Sequence, residues 1–433
     1  MAKRTPWLLL PLFYLAIHAA AQQDPLQDAA HALHQATAQK LSLSLEERTR
    51  WEERFGNNFG NAASQEYMVS RLRIGMGYTP TRWLQLSATA QDARAPWYQP
   101  NAPSSLRDSM DLQEGYAIFG SEKRALNFSA GRRMINYGET RVIGVPQWTN
   151  SSRTYDYGRI RYSSKHITLD ALLLSPVQIL PDQFNKPELG NRYWGTYLVL
   201  PQLWHHSAVD LYALRHSQNK IGGWSGAGTL GTNNYGARLY GSLPAGFKYS
   251  FEGIGQNGHT GVLDQRAYAW FAGGSRTIKI GTLPLDLSAE YKVASGSHAG
   301  EKHSSTFDQL TPSNHDKFGH IDLFGWKNLK TFKTLEVLHL NPSLDFNLMY
   351  TQQRLFSPSD ALYASSGSKL ALSSTGKAGQ NVGQELDGYA TYRWKNHTFY
   401  AGVGHFFKGT YIEKTTPGIN PRYFYLAQQY TIK

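Results

Sequence analysis

The chain contains no cysteine, which removes disulfides, cysteine-held zinc or iron–sulfur centres and cysteine nucleophiles together. It is also short of charge and of bulk hydrophobicity: Asp, Glu, Lys and Arg make up 18% of its 433 residues and hydrophobic residues 41%, both low for a soluble domain. Beyond the first twenty residues no apolar run approaches the ~18–20 residues of a spanning helix, and the mean hydropathy is −0.47, so a helical membrane protein is excluded. What the chain has instead is aromatic. Its 26 Tyr, 19 Phe and 11 Trp are dispersed along the sequence, and a membrane protein of that composition is a β-barrel.

The N-terminus reads as an export signal. Lys3 and Arg4 precede the apolar stretch Trp7 to Ile17, and Ala19-Ala20-Ala21 supplies a small-residue cleavage site before Gln22. The expected organisation is a signal peptide over 1–21, a helical or disordered lead-in over 22–40, and a barrel over 41–433. An exported chain whose positive charges follow strand parity has no use for nucleic acid, despite a net charge of +12.

From Leu41 the period is two. Leu41, Leu43 and Leu45 alternate with Ser42, Ser44, Glu46, Arg48 and Arg50; Leu72, Ile74, Met76 and Tyr78 with Arg71, Arg73, Gly75 and Gly77; Leu283, Leu285, Leu287, Ala289 and Tyr291 with Asp286, Ser288, Glu290 and Lys292. In Leu112 to Phe119 either parity can face outward, and a weak strand is expected between Phe318 and Trp326. Short connectors alternate with long ones, the latter including 134–157, 216–233, 254–265 and 294–318. Together they predict an all-β, antiparallel transmembrane barrel of about 18 strands in the bacterial outer membrane, with short periplasmic turns, long extracellular loops and both termini in the periplasm. Outer-membrane lipid and lipopolysaccharide are its expected surroundings.

A barrel that wide holds an aqueous channel, and its inward residues decide what passes. Arg48 and Arg50, Arg71 and Arg73, Arg159 and Arg161, and Arg238 fall on polar faces. The four N-terminal arginines lie on adjacent strands, where repulsion demands an anion, a carboxylate such as Glu46 or Glu52, or water between them. A cationic channel implies an anionic solute, and the planar arginine fork suits carboxylates. Structural pairing with lumen acids, or a place at the rim on lipopolysaccharide phosphates, is at least an equal reading for any one arginine.

The richest connector runs through Gly131-Arg132-Arg133, Asn136-Tyr137-Gly138-Glu139-Thr140-Arg141, Gln147-Trp148-Thr149-Asn150 and Arg153-Thr154-Tyr155-Asp156. It is placed to fold inward as a constriction. With Gly383 to Tyr389, Gly402 to Gly409 and Tyr423 to Leu426, this block resembles the alginate-export family of outer-membrane porins, over nearly the whole chain after the signal. The resemblance implies a monomeric, anion-selective pore that carries a negatively charged polysaccharide such as alginate outward. It implies Arg71, Arg73, Arg132, Arg141, Arg153 and Arg159 as lining arginines, to which the polar face adds Arg48, with Glu139 and Asp156 as counter-charges. The chain ends Tyr430-Thr431-Ile432-Lys433, not on the aromatic residue expected for the barrel-assembly machinery.

Other chemistry is poorly supported. Gly226-Ala227-Gly228-Thr229-Leu230-Gly231 matches a dinucleotide fingerprint but lacks its strand–helix setting and acidic residue, and reads as an external loop. Gly223 to Ala227 lacks the last glycine of a nucleophile elbow. His31 with His34, and His205 with His206, have no third metal ligand in sight. No cofactor is expected. A barrel-wall enzyme would need a constellation that Ser357 and His405 supply only in principle, whereas a general or small-anion porin shares every feature above.

Overall fold

A computed structural model describes residues 24–60, 64–98, 101–122, 124–221, 228–373, 375–416 and 418–432. The expected signal peptide and Gly226-Ala227 lie outside them. Helix α1 (Pro25–Ala36) opens the described chain. Its N-cap Asp24 accepts from Gln27 N and from Tyr430 Oη and Asn396 Nδ2, which seats the helix at the short-turn end of the barrel.

Eighteen strands form the wall: β1 (Leu41–Phe55), β2 (Gln65–Thr81), β3 (Leu84–Arg94), β4 (Asp108–Phe119), β5 (Leu126–Arg133), β6 (Tyr155–Ser163), β7 (Thr168–Gln178), β8 (Asn191–Trp204), β9 (Ser207–Ile221), β10 (Gly228–Leu243), β11 (Phe247–Thr260), β12 (Leu263–Ile280), β13 (Leu283–Ala294), β14 (Leu329–Asn341), β15 (Leu344–Leu355), β16 (Asn381–Trp394), β17 (His397–Lys408) and β18 (Arg422–Ile432). Each pairs antiparallel with its neighbours, and β18 returns to β1 in a register running from Leu45 opposite Ile432 to Phe55 opposite Arg422. The sheet is therefore closed and has no edge to protect.

Burial is inverted relative to a soluble protein. Leu72, Ile74 and Met76 are exposed while Arg71 and Arg73 on the same strand are buried, because the alternation that hides a strand's polar face in the lumen turns its apolar face to hydrocarbon. The ambiguous parity of β4 has a local cause. The register slips between Thr89 opposite Glu114 and Ala90 opposite Leu112, and this bulge moves the inward set from Asp111 and Gln113 to Glu114 and Tyr116.

Two expectations about connectors fail. Residues 216–233 and 254–265 are largely strand: β9 and β10 run to Ile221 and from Gly228, and only a tight turn separates β11 from β12. Their polar residues look loop-like in sequence, but His216, Thr232, Gln256 and Gln265 form an inward face that holds another segment. That segment is Thr306 to Asp308, whose carboxylate and carbonyls accept from these side chains, and Phe318 to Trp326, expected as a strand, follows it as irregular chain. Both belong to the loop 295–328, which folds into the lumen, so that Phe318, Ile321, Phe324 and Trp326 are buried there.

Candidate functional site

The lumen is crossed by two loops that join each other. Ile143 of the loop 134–154 pairs in parallel with Thr311 of the loop 295–328, with Gly144 N donating to Thr311 O at 2.9 Å and Thr311 N to Val142 O at 3.1 Å. Gly144 leaves no room for a side chain here: a Cβ would lie 2.6 Å from Thr140 O and 2.9 Å from Ser313 N.

The first loop is held by the arginines of β1 and β2. Arg48 and Arg71 stand directly opposite each other, a like-charge pair that costs stability when nothing intervenes. The loop's own carbonyls intervene. Arg48 donates to Gln147 O at 2.9 Å, Trp148 O at 3.1 Å and Thr149 O at 3.0 Å, and Arg71 donates to Thr149 O at 3.0 Å. Arg50 donates to Trp148 O at 2.5 Å and lies 4.2 Å from the centroid of the Trp148 ring. Two acids assist: Glu46 pairs with Arg71 at 2.6 Å and lies 3.7 Å from Arg73, and Glu52 pairs with Arg50 at 2.5 Å and Arg54 at 2.9 Å.

The second loop lies against β13 to β16. Arg141, Lys292 and Lys333 gather on the single carboxylate of Glu290 at 2.8, 3.2 and 3.6 Å, while Lys292 and Lys333 also donate to the carbonyls of Lys317 and Asp316. The Lys317 ammonium has no acceptor among the described residues; burial, then the charges of Arg141 and Lys333, lower its pKa from the ordinary lysine value. The loop also docks on β16, Ile321 N donating to Glu385 Oε1 at 2.9 Å. Gly319, at φ +119°, lies where a Cβ would meet the Glu385 carboxylate at 2.3 Å.

The residues expected at the pore divide three ways. Arg48, Arg71, Arg73 and Arg141 are buried on the inward side, and Arg153 donates to Gly144 O at 3.0 Å and Pro312 O at 3.1 Å, which ties the two loops together. Arg159 pairs inside the barrel with Glu122, as does Arg133. Glu139 is a counter-charge for Arg141 and Arg238 at 3.2 Å each. Arg132 and Asp156 are different. They pair with each other in a fork at 2.8 and 3.2 Å, but they share the parity of the outward-facing Phe128 and Ile160 at the long-loop end of β5 and β6. Arg132 also donates to Asn185 O, under the loop 179–190. They are rim residues, because strand alternation carries them out of the channel.

Sequence reasoning did not single out Lys292, Lys333 and Glu290 as a site, although all three lie on polar strand faces. Ser357 and His405 are not brought together. The Ser357 hydroxyl lies 3.4 Å from His298 Nδ1, whereas His405 lies against Phe407 with the ring planes tilted by 59°. Between the loops, at the long-loop end, opens a cavity of about 990 Å³ bordered by Arg50, Arg54, Trp148, Arg153, His315 and Lys327.

A closed barrel of this size, with an apolar belt outside and inward-folded loops across a charged lumen, is the architecture of a bacterial outer-membrane channel. The sequence model of the Alginate export family matches residues 39–425, and the chain belongs to that family. Solved structures agree on the fold. OccK8 (OprE) of Pseudomonas aeruginosa superposes with a TM-score of 0.62 at 11% identity, covering 90% of this chain and 98% of that one. OccAB4 of Acinetobacter baumannii gives 0.60 at 12% with the same coverage, and OpdK of Pseudomonas aeruginosa with vanillate gives 0.58 at 11%, again over 90% and 98%. No curated protein sequence matches the chain.

Proposed function

We propose that the channel passes an anionic polysaccharide, with a uronic-acid polymer such as alginate as the best fit, outward from a periplasmic face that carries both termini. The observation that supports this reading most is how the lumen cations are satisfied. Backbone carbonyls accept from Arg48 and Arg153, which have no carboxylate partner among the described residues, and also from Arg71, Lys292 and Lys333, of whose charge Glu46 and Glu290, each shared with another cation, balance only part. A carbonyl fills a donor's hydrogen-bonding need without cancelling its charge. The positive potential therefore survives the packing, and low-dielectric walls focus it on the solute. Four buried guanidinium nitrogens, Arg48 Nε, Arg73 Nη2, Arg141 Nε and Arg159 Nε, lack an acceptor among the described residues.

Transport needs many modest contacts in place of one tight one. In planar bilayers the channel should prefer Cl⁻ over K⁺, and an oligouronate should block current where a neutral oligosaccharide of equal size does not. Arg153→Ala and Lys317→Ala should each weaken block by ~1.5–3 kcal/mol, the worth of a charge-assisted hydrogen bond. Arg132→Ala, at the rim, should leave it unchanged. Equal block by acidic and neutral oligomers defeats the polysaccharide reading.

A second reading is diffusion of small organic anions. The observation that favours it is the fold shared with OpdK, whose structure was solved with vanillate, a small carboxylate. It predicts that monomeric carboxylates permeate, by reversal potential, while oligouronates neither enter nor block. Family and fold are those of channels, and in neither reading is the barrel an enzyme or a user of a cofactor.

A further inference from the structure

We propose that His315, Asp316 and His320, on the inward loop 295–328, form a binding site for a divalent transition-metal ion of the zinc class. The donor atoms of the three side chains lie within 4.8 Å of one another. Nitrogen and oxygen donors in this mixture suit zinc and its neighbours better than calcium or magnesium, which take oxygen sets.

Three features make this a built site and not a chance cluster. First, His315 Nδ1 donates to the Asp322 carboxylate, at 2.9 Å to Oδ2 and 3.1 Å to Oδ1. A carboxylate on one ring nitrogen fixes the tautomer, so that the other, Nε2, presents its lone pair; carboxylate–histidine–metal relays are built this way. Second, the His320 side chain is 5% exposed, and its Nε2 has no hydrogen-bond partner of regular geometry among the described residues. Asp316 Oδ1 lies 2.6 Å away, so this buried ring nitrogen is aimed into the cluster, and the polar atom it faces is another candidate ligand. Third, Asp316 is 55% exposed, which gives an ion access and leaves coordination positions for water, as in open three-ligand sites.

The spacing is compatible with one ion. Bonds of about 2.0–2.1 Å in a tetrahedral arrangement set donors about 3.3 Å apart. His315 Nε2 to Asp316 Oδ1 is 3.5 Å as it stands, and the 2.6 Å contact to His320 opens by less than about 1 Å. The surroundings are mixed. Lys333 donates to the Asp316 carbonyl and opposes a cation, while Asp322 beside His315 and Asp387, which accepts from His320 N at 3.4 Å, favour one. His315 stacks on Trp148 with centroids 4.9 Å apart and planes 5° apart, so an ion bound there stiffens the contact between the two inward loops. This inference does not depend on the cargo.

The test uses the whole purified barrel in detergent, with His205→Ala and His206→Ala to remove the exposed paired imidazoles. Calorimetric titration with ZnCl₂ should show one saturable site that excess CaCl₂ does not displace. His320→Ala should weaken it by at least about tenfold, and Asp322→Asn by about 10–100-fold, the usual cost of removing a carboxylate behind a ligating histidine. Each variant is scored on protein that keeps the faster mobility of an unheated barrel on gels. Should His320→Ala not fold, Asp316→Asn, at an exposed position, takes its place. No saturable zinc site, or one that these substitutions leave unchanged, overturns the proposal.

Discussion

The lumen has two basic regions, and they are held in opposite ways. On β1 and β2 the arginines are satisfied mainly by the backbone of the loop 134–154. On β13 and β14, Glu290 sits among Arg141, Lys292 and Lys333. The first arrangement couples charge to the position of a loop; the second balances charge at a point. Removing a cation from the first should therefore move the loop, and removing the acid from the second should change the field.

Glu290→Gln is the strongest way to break this comparison. It leaves three buried cations without their shared carboxylate, at a cost of about 3–5 kcal/mol when one member of a buried ion pair is lost. The heat-modifiable barrel should unfold at lower temperature and the preference for Cl⁻ should rise; unchanged values in both would mean that the site is not balanced by Glu290. Arg48→Ala comes next, at about 1.5–3 kcal/mol. It should raise hydrogen exchange at the Asn150 and Ser151 amides, both bonded to Ser105 O. Arg48→Lys sharpens the distinction, because a point charge cannot span three carbonyls: selectivity should persist while the amides still exchange faster.

The smallest expected effect belongs to Glu122, in the turn between β4 and β5. Burial works against its ionisation, but hydrogen bonds and charge from Arg133 and Arg159 outweigh burial and lower its pKa below the ordinary glutamate value. A lowered folded-state pKa contributes stability above the unfolded pKa and loses it as pH falls through the folded one. Thermal scans in detergent should show a small decline on acidification below the ordinary carboxylate range, absent in Glu122→Gln.

Much of the wall was legible because strand parity is a one-dimensional signal. Leu72, Ile74 and Met76 face out and Arg71 and Arg73 face in, as their alternation requires. The plug was not legible. Phe318, Ile321, Phe324 and Trp326 pack among themselves and against lumen aromatics, so they obey no period, and the polar strand residues that receive Thr306 to Asp308 of the same loop look like loop. The bulge in β4 hid parity for the same reason that it exists, since one extra residue reverses the faces. Arg132 and Asp156 show the limit of a motif: residue types locate a segment, but only register decides which side of a wall it serves. His315, Asp316 and His320 lay within six positions of a long connector, a spacing that could have drawn notice.

The pairing of Ile143 with Thr311 also bears on how the molecule comes into being. These residues belong to loops with β6 to β13 between them, and contacts so distant in sequence are slow to form, since chain entropy is lost before they reward it. The two loops meet only after that stretch of wall has curved far enough to bring them together. Assembly of the plug is then late and cooperative, and a chain interrupted before the end of β13 has a loop 134–154 without its mate.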